Sequence, residues 1–212
     1  MALSRLQIWN MAVGELPDAR IDTIEEVSIA AEACRDQYQP SLELLLDDHA
    51  YDFANVRTTL AVVTNDREQE WDYAYSLPAN VARPSHVLPF SAADVSTSRT
   101  FSWYGAMRGF EAIVPFRIEG GRLYTNQEGA ILDHTTTEPS EATFTPKFAR
   151  ALALELACRI VMPVKKDRAR QLELIRMAEI ARERAKADDM NRDRESPRDF
   201  VPEVQLARLG LI

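Results

Sequence analysis

Trp71-Asp72-Tyr73-Ala74-Tyr75-Ser76-Leu77-Pro78-Ala79-Asn80 is the stretch whose reading decides the fold. Three aromatics recur at every second position, and a strand turns successive side chains to opposite faces. Trp71, Tyr73 and Tyr75 therefore share one face, while Asp72, Ala74 and Ser76 share the other. Pro78 has no N–H to donate to a ladder and should end the strand. No group in the stretch could carry a reaction, so its role is architectural. The signal continues on both sides. Thr58 to Thr64 is rich in β-branched residues and runs into the turn pair Asn65-Asp66. Downstream, Ala112 to Ile118 reads as a strand. Glu119-Gly120-Gly121-Arg122 then reads as a tight hairpin, because adjacent glycines accept the positive φ of the favoured turns. Leu123 to Asn126 is the return strand, and Gly129 opens another through Ile131 and Leu132. Residues 57–140 are thus expected to form an antiparallel, β-rich lobe.

Helical patterns flank this lobe. Ser4 to Val13 places Leu6, Ile8, Trp9, Ala12 and Val13 on one side, with Gly14 as the stop. Thr23 with Glu26 three residues on fits a capping box and predicts a second helix whose stripe is Val27, Ala30, Ala31, Cys34 and Tyr38. Pro40-Ser41 is expected to break that helix and start a third, which runs through Leu42, Leu44, Leu45 and Leu46 to Ala50, with Tyr51 and Phe53 packed at its end. After the lobe, Thr145-Pro146 opens a helix in which Phe148, Leu152, Leu156 and Ile160 repeat every four residues among alanines, a pattern buried on most sides. Pro163 is expected to stop it. Asp167 can cap a last helix to about Asp188, with Leu174, Met177, Ala178, Ala181 and Ala185 on its inner stripe. From Val164 to Arg198 basic residues outnumber acidic ones, which suits a solvated charged face or contact with an acidic partner surface.

The expectation is therefore an α+β chain: N-terminal bundle helices in 1–56, an inserted lobe in 57–140, C-terminal bundle helices in 141–190 and an extended tail in 191–212. Two segments stand apart as candidate interaction sites. Residues 81–110, with Pro84, Pro89 and a Ser/Thr-rich run, read as a long excursion carrying the aromatics Phe101, Trp103 and Tyr104. If exposed, they mark an interaction site; if buried, they tack the excursion down. The tail has a polar, proline-broken spacer and then Phe200, Val204, Leu206, Leu209, Leu211 and Ile212. Such a segment should dock, on its own domain or on a neighbour, and the spacer gives the reach for a neighbour.

Composition narrows the function. The formal net charge is −8 over 212 residues, which argues against general affinity for nucleic acid or anionic membrane. No run approaches the roughly 18 apolar residues of a membrane span, and the N-terminus has no signal-peptide pattern. The chain reads as soluble and made in the cytoplasm. Cys34 and Cys158 lie far apart on apolar helix positions, as small hydrophobes rather than nucleophiles. His49, His86 and His134 fall at no metal-ligand spacing, and no phosphate-cradling or nucleophile-elbow glycine motif occurs. Asp133-His134 could mimic an acid–base pair, but a surface or capping histidine is the plainer reading. Asp47-Asp48 and Asp188-Asp189 are neighbours pointing some 100° apart on a helix and read as solvated helix ends. No enzymatic constellation and no cofactor site is expected.

The order of these features resembles the head-to-tail adaptor proteins of short-tailed bacteriophages, the tail tubular protein A or gatekeeper-type connectors. Trp9-Asn10-Met11-Ala12-Val13-Gly14-Glu15, the segment Ile21 to Tyr38, and Leu44-Leu45-Leu46 leading into Tyr51-Asp52-Phe53-Ala54 are similar to that family's opening, with Tyr51 where a tryptophan is usual. Tyr73 to Asn80 is similar to its aromatic strand ending in Leu-Pro-Ala-Asp. Phe116 to Leu132 and Phe144 to Ala157 resemble its hairpin and its closing helix. The resemblance implies a helical bundle with an inserted β lobe. It also implies a twelve-fold homo-oligomeric ring under the portal protein, a tail nozzle or tail tube protein as downstream partner, and a channel for passing genomic DNA. The location implied is the virion tail, assembled in host cytoplasm. A tail-completion or terminator protein is the alternative in the same machine, and a small hydrolase using Asp133 and His134 the alternative outside it.

Overall fold

In a computed structural model the chain folds as an α+β protein, with a helical bundle and an inserted antiparallel lobe; residues 3–17, 20–89 and 114–192 are described. Among these, four helices form: α1 (Arg5–Gly14), α2 (Ile29–Asp48), α3 (Pro146–Lys165) and α4 (Arg168–Arg192). The lobe holds β1 (Asn55–Thr59), β2 (Val62–Val63), β3 (Tyr73–Ser76), β4 (Val81–Pro89), β5 (Phe116–Glu119), β6 (Arg122–Thr125) and β7 (Ala130–Thr136).

α3 is the centre of the bundle, and α1, α2 and α4 all pack on it. Its start follows the sequence signal: the Thr145 hydroxyl accepts from the Phe148 N–H, and Pro146 occupies the first turn. Phe148, Leu152, Leu156 and Ile160 are fully buried, with the alanines between them. Pro163 does not stop the helix. It lies in the last turn, where its missing N–H leaves only the Arg159 carbonyl without a helical donor, and the chain turns off at Lys166, in the left-handed region at φ 55°.

The N-terminal half differs from expectation in three places. α1 starts one residue after the expected Ser4, which caps it instead: Ser4 and Gln7 exchange side-chain-to-backbone bonds. Thr23 and Glu26, however, close a turn rather than a helix: the Glu26 N–H donates to the Thr23 carbonyl, and its carboxylate accepts from the Asp22 N–H. The helix begins five residues later with Ser28 as its cap, so Val27 is outside the buried stripe and exposed. Pro40 does not split the helix either. α2 runs through it, because Tyr38, Ser41, Leu42, Leu45 and Leu46 stay buried on one side, and the Ser41 hydroxyl donates to the Gln37 carbonyl at 2.7 Å beside the gap. At its end Tyr51 and Phe53 meet Phe148 edge-on, with centroids 4.7 and 4.8 Å away.

The lobe is two antiparallel sheets, ordered β1-β7-β4 and β2-β3-β6-β5. The run Thr58 to Thr64 is not one strand. The chain leaves the first sheet after Thr59 and joins the second at Val62, and the Leu60 N–H still donates to Ala130. The aromatic strand starts at Tyr73, not Trp71, and is central in its sheet, with Tyr75 opposite Val62 and Leu123. Tyr75 is fully buried, and its hydroxyl donates to the Gln127 carbonyl. The β5–β6 hairpin turns on Gly120 and Gly121, with φ of 55° and 75°. Val81 to Pro89, read as the start of an excursion, is an edge strand on β7. It accommodates Pro84 next to register irregularities, where a missing donor is tolerated. Leu77–Asn80 thus joins one sheet to the other, whereas the handover from bundle to lobe lies at Tyr51–Asn55.

Most buried apolar residues among those described fall in two clusters. The larger runs from Ile8 to Ala54 and from Phe144 to Ala185; the smaller is Leu60, Tyr75, Val87, Leu123, Ala130 and Leu132. Ala82 on β4 packs against the larger cluster, and Gln39 on α2 donates to the Thr137 carbonyl, so the first sheet abuts α2.

Candidate interaction surfaces

The pair weighed for acid–base chemistry does not come together in the fold. His134 is neither a surface nor a capping residue: it is fully buried in the middle strand β7. Neighbours on a strand face opposite ways, so Asp133 turns from it and pairs with Arg57 at 3.2 Å. That geometry makes no acid–base dyad. Both cysteines are buried, and burial pushes each thiol up to about 12, far from a reactive thiolate. Among the described residues no cluster of His, Cys, Asp and Glu is arranged to hold a metal ion, and no helix is long and apolar enough to cross a membrane.

Of the acidic pairs expected as solvated helix ends, Asp47 is exposed as expected, whereas Asp48, Asp188 and Asp189 clamp α2 and α3 to α4. Asp189 is buried and meets His49 Nε2 at 3.0 Å. Asp48 accepts from Lys186 at 2.7 Å, and the hydrogen bond to Asp48 is the main reason the Lys186 ammonium is held above its ordinary range. Asp188 is gripped by Lys147 at 2.5 Å and Arg192 at 3.0 Å; the Lys147 hydrogen bond is the first cause of its lowered carboxyl pKa. Towards the other end of α4, Arg170 donates to the Glu15 carbonyl at 2.9 Å, while Arg150 pairs with the Glu15 carboxylate. These contacts span up to 155 residues of sequence, and no local pattern announces them.

What remains uncommitted is apolar surface. On α4 the inner side holds Leu174, Ala178 and Ala185, as the sequence stripe requires, yet Leu172, Ile175, Ile180 and Met190 are exposed on the rest of the helix. Ile180 is 54% exposed and Met190 68%. Arg176 and Arg184 lie beside these residues without an ion-pair partner among the described residues. The second surface is the segment before α2, with Ile24, Val27 (89% exposed) and Ile29 (67%) set among the exposed acids Asp22, Glu25 and Glu32. It is held in shape from beneath. Asn10 donates to the Ile21 carbonyl and accepts its N–H, both at 2.9 Å, and Arg35 donates to the Ile24 carbonyl at 2.8 Å. Sequence reasoning missed this surface, because Val27 fits a helical spacing that the chain does not adopt there.

The site residues expected from sequence, Phe101, Trp103 and Tyr104 in the excursion and Phe200, Val204, Leu206, Leu209, Leu211 and Ile212 in the tail, lie outside the described residues. No protein-family model matches the chain, and no curated protein is significantly similar to it.

Proposed function

We propose that the chain is a structural head-to-tail adaptor of a short-tailed bacteriophage. In this reading copies form a ring, twelve-fold by the family pattern, beneath the portal protein, join it to the tail nozzle or tail tube protein, and line the channel for genomic DNA in the virion tail. One observation carries the reading. Helices from the two ends of the sequence close a single bundle around α3, with an antiparallel lobe inserted between them, in the segment order that the resemblance implies. The exposed apolar surfaces suit a subunit that finishes its burial in an assembly. The acidic balance suits a conduit that duplex DNA passes without sticking. The role is mechanical rather than enzymatic, and the tail residues Phe200 to Ile212 serve it by docking on a neighbour.

The test is electron microscopy of the purified chain mixed with its cognate portal protein. A ring stacked coaxially on the portal is expected. Portal rings that stay bare while the chain caps purified tail tubes would replace the reading with a tail-completion or terminator protein. Deleting residues 197–212 is expected to weaken attachment; unchanged attachment would remove the docking tail from the proposal and leave the adaptor.

A further inference from the structure

We draw no further inference here: the strongest candidate, the exposed apolar face of α4 at Leu172, Ile175 and Ile180, has charges of both signs around it, and nothing in the structure shows what covers it.

Discussion

The bundle and the lobe are held together by different means. The bundle buries large side chains from four helices against one central element. Trp9, Tyr51, Phe148, Leu152 and Leu156 are each at most 1% exposed. Among the described residues the lobe's core cluster holds six buried apolar residues, and the lobe relies on strand ladders, on the Tyr75 hydroxyl at Gln127, and on the Tyr124 hydroxyl at Asp66, 2.8 Å away. The difference teaches where rigidity resides: α3 fixes the frame, and the lobe is carried on it through Tyr51–Asn55 and the contact of β4 with α2. The largest effect should therefore come from α3. Phe148→Ala removes the ring that Tyr51, Phe53 and Phe144 all pack against and should cost about 3–5 kcal/mol in urea unfolding. A cost no greater than that of truncating the lobe core would break the comparison.

Leu123→Ala is that lobe truncation. Leu123 is fully buried between Tyr75 and Ile118 in the ladder, and its loss should cost about 2–4 kcal/mol. The loss should also be local. By hydrogen exchange, amides of β3, β5 and β6 are expected to lose protection while those of α3 keep it. Equal loss in both regions would mean that the two clusters unfold as one unit, and the distinction between frame and cargo would have to be dropped.

How far the sequence could be read follows the same division. α3 was legible because its cap, its proline and its four-residue repeat all lie within one window, and the β5–β6 hairpin because two glycines mark it. Where tertiary packing outweighs a local breaker, reading fails. Pro40 and Pro84 both argue for an end, yet one sits inside a helix whose buried side carries it through, and the other on a sheet edge beside bulges. The clamp of His49, Asp48, Asp188 and Asp189 was illegible for another reason. Its partners are remote in sequence, and adjacent carboxylates look the same whether solvated or paired. The exposed surface at Val27 was hidden by a spacing that mimics a helix starting five residues before the real one.

That clamp gives the comparison a pH dependence. Lys147 and Arg192 hold the Asp188 carboxyl below its ordinary value of 3.8. A group with a depressed folded-state pKa contributes stability that is present above its unfolded value and is lost as pH falls through the folded one. The attachment of α4 to α3 should therefore be unchanged from neutrality to about pH 4 and weaken below it. Unfolding midpoints measured from pH 7 to pH 2 should show a smaller acid-induced drop in Asp188→Asn than in the parent. Identical acid profiles would remove Asp188 from the account. The effect is modest, because the pair lies near solvent and salt screens it.

The smallest expected change in stability is at Ile180, and it is the most informative about what the bundle is for. In a frame where every inward side chain is packed, an outward isoleucine that is half exposed contributes little to folding. Ile180→Lys should leave the urea midpoint within about 0.5 kcal/mol of the parent. The same substitution removes apolar area from an outward face that the proposed adaptor would cover in its assembly, so the substituted chain should lose most of its self-association while remaining folded. A variant that is destabilised as strongly as Leu123→Ala would show that this face serves the fold, by packing not visible among the described residues. A variant that is stable and also assembles normally would show that the face is idle. Only the combination of intact folding with lost assembly fits a bundle whose inner side makes the frame and whose outer side makes the contact.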